Sequence, residues 1–126
     1  MFQKNKMVKK ARKVLESLYN GTCTITEYQK VKLPNKSTGF KEVTVLKDIP
    51  CRLSFNTVTN TNQTEVGASA VIQSTKVFIA PEIKVKPGSK LTITQNDVTT
   101  EYKSSGQPAI YTTHQEIELE LFERWA

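Results

Sequence analysis

Apolar residues recur at Met7, Ala11, Val14 and Leu18, at spacings of four, three and four, with Val8 and Leu15 alongside and lysines on the other faces. That period predicts an amphipathic α-helix whose apolar stripe packs on the rest of the chain. Asn20-Gly21 supplies a stop near Tyr19, since glycine takes the left-handed cap without steric cost. After Gly21 the period falls to two. TCTITEYQKVK (22–32) is rich in threonine and β-branched residues, and the turn cluster LPNKSTG separates it from FKEVTVLKD (40–48), with Val43 and Val45 alternating as its hairpin partner. Pro50 is expected to interrupt the ladder, and CRLSF (51–55) then places Cys51, Leu53 and Phe55 on one face.

The next stretch, NTVTNTNQTEVGAS (56–69), has little apolar content and almost no period, so it is predicted to be a long loop. Unstructured loops of that length inside a domain are usually functional or disordered. Alternation resumes in VIQSTKVFIA. Pro87-Gly88 and Asn96-Asp97 mark turns around LTIT, and AIYTTHQEIELELF is read as a last strand burying Ile117, Leu119 and Leu121. One helix followed by closely spaced short strands predicts a mainly β fold: a small β-barrel or sandwich with an N-terminal helix and a long inter-strand loop. With 126 residues and no internal repeat, residues 1–126 read as a single domain, 1–20 the basic helix and 21–126 the barrel.

Composition narrows the function classes. No apolar run approaches the ~20 residues that span a bilayer, and the lysine-rich amino terminus lacks an apolar signal core, so a soluble cytoplasmic chain without membrane contact is expected. Cys23 and Cys51 stand apart, each expected as a small buried residue, and bridging is open only if their strands are neighbours. Charge is segregated: residues 1–20 carry six bases and one acid, or +5, whereas the other 106 carry twelve bases and eleven acids, or +1. The basic helix admits three readings: a solvated face, a docking surface for an acidic protein, or a contact for DNA phosphates or another anionic surface.

Candidate chemistry centres on HQEIELELF (114–122), where Glu116, Glu118 and Glu120 alternate behind the single histidine. Strand alternation answers it: with Ile117, Leu119 and Leu121 inward, the glutamates form the wet face, where they discourage edge pairing. One histidine and two distant cysteines do not make a zinc set. His114 has only Asp48 or Asp97, both in predicted turns, as triad acids, and no GxSxG elbow is present. PGSK (87–90) lacks the first glycine of a phosphate loop and reads as a turn. The expectation is therefore no enzyme, no catalytic or metal site and no cofactor. Phe40, Phe55, Phe78, Tyr102 and Tyr111 are scattered over different strands at mostly core-like positions, which argues weakly for single-stranded nucleic acid binding.

The order of LxF, a long polar loop, KVFIAPEIKVKPGSKLTI, a QND hairpin and EYKSSGQPAIYTTHQEIELELFERW resembles the head-closure or stopper proteins of long-tailed bacteriophages of Gram-positive hosts, most closely the head-to-tail joining type of PBSX-like prophages. The resemblance covers nearly all of the chain after Gly21. It implies a structural virion protein at the head-tail interface, made in the bacterial host cytoplasm. Such proteins form a homo-oligomeric ring beneath the portal-bound adaptor protein, close the DNA channel, and present a surface to a tail-completion or tail-terminator protein. Double-stranded DNA passes through without sequence specificity. Carried onto this chain, the channel-gating loop corresponds to Asn56, Thr57, Thr59, Asn60, Thr61, Asn62, Gln63, Thr64 and Glu65, polar residues with a single charge. Assembly contacts are expected from Lys6, Lys9, Lys10, Arg12 and Lys13 on the helix facing Glu116, Glu118 and Glu120 of a neighbour. The alternatives are a tail-completion protein of the same virion and a small-barrel nucleic-acid-binding protein.

Overall fold

The computed structural model describes residues 2–60 and 70–125, with side chains described for 6–56 and 74–125. Among the described residues helix α1 (Phe2–Glu16) is followed by seven strands: β1 (Gly21–Lys32), β2 (Thr38–Asn60), β3 (Ala70–Ile79), β4 (Lys90–Gln95), β5 (Val98–Ser104), β6 (Ala109–Ile110) and β7 (Gln115–Leu121). All pairings are antiparallel, in the order β3-β2-β1-β4-β5-β7-β6, and a further pairing of β3 with β7 closes the sheet on itself. The fold is thus mainly β with one N-terminal helix, as the alternation implied. It is a closed ring of six strands with β6 appended to β7, and not a regular barrel.

Its irregularity comes from β2. This 23-residue strand pairs with β1 from Thr38 to Cys51 and with β3 from Arg52 to Asn60. Register shifts opposite Cys23 to Thr26, with Asp48 at a φ of 56°, bend it as it changes partner. Pro50 does not interrupt the strand as expected. It pairs with Thr22 at a point where the other edge of β2 has no partner strand, so its missing N–H removes no ladder bond there.

Because β4 covers only Thr22–Thr26 of β1, the ladder of Glu27–Lys32 with Thr38–Val43 runs on as a two-stranded arm. Likewise β7 covers only Thr75–Ile79 of β3, so Asn56–Asn60 and Ala70–Ser74 form a second arm. The two arms leave opposite ends of one strand. At ~3.3 Å per residue their ladders extend about 20 and about 17 Å. The second arm corrects the predicted loop: Asn56, Thr57, Thr59 and Asn60 are strand residues, because threonine's branched side chain suits an extended backbone even where no apolar alternation marks it. Thr61, Asn62, Gln63, Thr64 and Glu65 lie outside the described residues.

The core holds Cys23, Ile25, Cys51, Leu53, Val77, Ile79, Leu91, Ile93, Tyr102, Ile117 and Leu119 from six strands, with Val85 from the β3–β4 connection. Alternation overreaches at strand ends. Phe55 and Leu121, expected inward, are 54% and 68% exposed, since the ring has opened at both points. Phe40 and Tyr111 are exposed as well, and of the five scattered aromatics only Tyr102 is fully buried. Asn96 and Asp97 take left-handed φ values of 53° and 62°, the turn that a two-residue hairpin requires. Gly21 is not the expected left-handed cap. It opens β1, and an added Cβ would lie 3.1 Å from the Thr94 carbonyl oxygen and 3.3 Å from that of Cys51, so close approach of three strands demands glycine.

The helix departs furthest from expectation. Met7, Val14 and Leu18 are 71%, 69% and 52% exposed, and Ala11 is exposed too. The half-buried positions are Val8, Arg12, Leu15 and Tyr19, the same period shifted by one residue. On that face Arg12 reaches Glu82 on the β3–β4 connection with its two terminal guanidinium nitrogens, at 2.5 and 3.1 Å, and Glu16 at 3.1 Å. These bonds hold the Arg12 pKa above its usual range and the Glu82 carboxyl below its own. The helix ends in a tightened turn, with Leu18 N donating to Leu15 O and Tyr19 N to Glu16 O, both at 3.0 Å.

Candidate functional site

Of the predicted gating residues, Asn56, Thr57, Thr59 and Asn60 lie on a strand, and the others fall outside the described residues. Asn56 to Asn60 build one side of the second arm, opposite Ala70 to Ser74, and Ser74 Oγ donates to Asn56 O at 3.5 Å near its root. Beyond Phe55 neither strand has a third partner, so the arm's backbone edges are open along its described length.

At the base of the other arm lies a cluster that sequence reading missed. Phe40, Tyr28 and Trp125 form a row of stacked rings, with centroids 5.3 and 5.1 Å apart, and Phe122 meets Trp125 edge-on at 4.9 Å. Lys90 Nζ sits 5.0 Å from the Phe122 centroid and 5.7 Å from that of Trp125, and pairs with Glu42 at 3.0 Å and Glu101 at 3.3 Å. Trp125 Nε1 donates to Glu42 Oε1 at 2.9 Å. The row borders an open cleft of about 470 Å³ whose other lining includes Glu27, Lys86 and Pro87. The residues span Tyr28 to Trp125, and nothing in the sequence period joins them. Only the hairpin register, which sets Tyr28 opposite Glu42 and Lys30 opposite Phe40, brings the first two rings together.

Burial works to lower the Lys90 pKa, but the two carboxylates outweigh it and raise the value. The Trp125 and Lys90 hydrogen bonds hold Glu42 below the usual carboxylate range. A depressed carboxylate stabilises the fold above its unfolded pKa, and that stabilisation fades as pH falls through the folded value. Trp125→Ala removes the latch between the C-terminal segment and the arm. We expect a stability loss of about 1–2 kcal/mol, faster amide exchange in Tyr28–Lys32, and a smaller gap from wild type at pH 3 than at pH 7. Equal gaps at the two pH values in urea titrations would refute the Glu42 contribution.

His114 has a local setting. Its Nε2 is 3.0 Å from Glu116 Oε2 and its Nδ1 3.0 Å from Thr113 Oγ1, and the ring stacks on Tyr111 at 4.9 Å against the edge-on Phe78 at 5.6 Å. Glu116 also lies 3.6 Å from Lys76. Neither Asp48 nor Asp97 is bonded to His114, and among the described residues no three His, Cys, Asp or Glu side chains cluster as a metal site would need. The two thiols meet inside the core: the bond to Cys51 and burial together raise the Cys23 pKa, and both cysteines are free. Neutral buried thiols of this kind behave as small apolar residues.

The eight expected assembly residues fall into two groups. Arg12 and Glu116 are engaged within the chain, and Glu118 and Glu120, exposed on β7, stand opposite Lys76 and Lys103 on the neighbouring strands. Lys6, Lys9, Lys10 and Lys13 are exposed and make no ion pair among the described residues.

No family model matches this chain, and no curated protein matches it. Among solved structures, the phage-like element PBSX protein xkdH from Bacillus subtilis is similar over 79% of this chain and 91% of that chain, at 13% sequence identity and a TM-score of 0.47. Among the described residues no helix is long and apolar enough to cross a membrane.

Proposed function

We propose that this chain is a non-enzymatic connector of a long-tailed bacteriophage. It forms a homo-oligomeric ring below the portal and its adaptor, closes the DNA channel after packaging and presents the tail-attachment surface. The observation that carries this reading is the second arm, a two-stranded extension of about 17 Å standing clear of the closed ring on Asn56–Asn60 and Ala70–Ser74. The sequence between its two strands includes Thr61, Asn62, Gln63 and Thr64, with Glu65 as the sole charge from 56 to 69. A gate needs reach beyond its scaffold, and it needs little positive charge that would hold passing phosphates. The resemblance in PGSKLTI and SGQPAIYTTHQEIEL supports the same reading. In ring assembly the contacts are head-to-tail, and arms at opposite ends of one strand suit a part joined above and below.

The test replaces residues 57–73 by a two-residue Asn-Gly turn and complements heads that lack the protein. Heads carrying the short-armed variant should recruit it yet lose packaged DNA. Retention equal to wild type would exclude gating by this arm. Mixing the chain with purified portal-adaptor and tail-tube complexes separates the connector from a tail-completion role. The stacked Phe40–Tyr28–Trp125 row beside Lys90 favours, as a second reading, binding of single-stranded nucleic acid. A salt-dependent gel shift abolished by Tyr28→Ala would decide for it.

A further inference from the structure

Helix α1 has two apolar lines, and the rest of the chain half-covers only one. At 3.6 residues per turn, the half-buried line of Val8, Leu15 and Tyr19 lies about 100° round the axis from the exposed line of Met7, Ala11, Val14 and Leu18. The exposed line is followed, on the side away from Val8, Leu15 and Tyr19, by Lys10 and Lys6 and then by Lys13 and Lys9. Arg12, bonded to Glu82, fixes the helix so that this order is maintained. An apolar ridge running over twelve residues from Met7 to Leu18, left open beside four lysines that make no ion pair among the described residues, is a helix-in-groove anchor without its groove.

The charges identify the kind of groove. A matching surface must carry carboxylates along one rim, and the described residues of this chain have hardly any to offer a second copy. Glu16 and Glu82 are held by Arg12, Glu27 by Lys86, Glu42 and Glu101 by Lys90, and Glu116 by Lys76. Glu118 and Glu120 face lysines across the ladder. The exposed Leu121 lies among Lys103, Glu120, Glu123 and Arg124, a locally neutral surface. Asp48 lies at the bend of β2 and Asp97 in the turn between β4 and β5. A lipid surface fits poorly as well. A helix lying in a membrane interface has a charged polar face over the rest of its surface, and here the next face round from the exposed apolar line carries the half-buried Val8, Leu15 and Tyr19.

We propose that the exposed face of α1 docks into an apolar groove, rimmed on one side by carboxylates, on a different protein. This goes beyond the connector reading and does not depend on it. The test uses the full chain and three probes: a synthetic helix with a leucine stripe flanked by glutamates, phosphatidylglycerol vesicles, and the chain itself over a concentration series. The acidic helix should bind with an affinity that falls as salt rises. Replacing Met7, Val14 and Leu18 together by serine should weaken it about tenfold or more, and Lys6→Gln with Lys10→Gln should remove most of the salt dependence. Both variants change exposed side chains, and an unchanged circular dichroism melt confirms the fold. Absence of binding, or binding indifferent to the three serines, overturns the proposal. Self-association or vesicle binding that the serines abolish overturns it also, in favour of a second copy or a lipid surface.

Discussion

Replacing Gln115 by leucine should destabilise the fold by about 3 kcal/mol, among the largest losses expected of a single polar side chain here. Gln115 is 1% exposed, and its Nε2 donates to Ala80 O at 2.8 Å and to Ile83 O. Ala80 O also accepts from Ile83 N at 3.3 Å, so it keeps a partner when the amide is lost. Ile83 O then has no remaining partner from this side chain. Leucine matches the volume but leaves the carbonyl of the half-buried Ile83 without this donor, and an acceptor shielded from water keeps a desolvation cost. The effect travels further. The same connection seats Val85 in the core and carries Glu82, the anchor of the helix through Arg12. Urea unfolding followed by circular dichroism should show a lower midpoint, with a thermal midpoint reduced by roughly 10 °C.

Gln115→Glu sharpens this expectation. At neutral pH an ionised carboxylate offers no donor and faces two carbonyl oxygens, so the loss should exceed that of leucine. The buried glutamate would have a folded pKa above its unfolded value. Its protonated form is therefore favoured by folding, and stability should recover as pH falls from 7 toward 5 while wild type does not gain. If Gln115→Leu stays within about 0.5 kcal/mol of wild type, the amide contributes no more than an exposed side chain would.

Gln115 also shows which parts of the fold can be read from sequence. In QEIELEL the inward positions are Gln115, Ile117, Leu119 and Leu121, and alternation alone implies a buried amide at the head of the strand. What it bonds to is set by a connection 35 positions away, which no local period reveals. The strands, the Asn96-Asp97 hairpin and the outward glutamates were legible because each follows from neighbours in sequence. The second arm was not, since Asn56–Asn60 has the backbone preference of a strand without an apolar face to betray it. The helix was legible as a helix, but not in its orientation: the half-buried face is that of Val8, Leu15 and Tyr19, where Arg12 meets Glu82, a residue far off in the chain that no local period reveals. The Lys90 cluster joins five segments, and only the closed ring brings them together.

Two residues of β7 that alternation treats alike should respond very differently to truncation. Ile117 is fully buried, pairs with Val77 across β3 and packs in the centre of the core. Ile117→Ala should leave a cavity among closely packed branched side chains and destabilise by about 3–4 kcal/mol. Leu121, on the same face four residues on, is 68% exposed, because pairing with β3 stops at Leu119 and only β5 continues beside it. Leu121→Ala should therefore fall within about 0.5 kcal/mol of wild type. The contrast measures where the ring stops being closed: the strand's period is constant, and only the number of flanking strands changes along it. Matched urea curves for the two variants give the answer directly. A loss at Leu121 comparable to that at Ile117 would mean that this end of β7 is covered in the folded chain, and that the ring closes further along the strand than its pairing with β3.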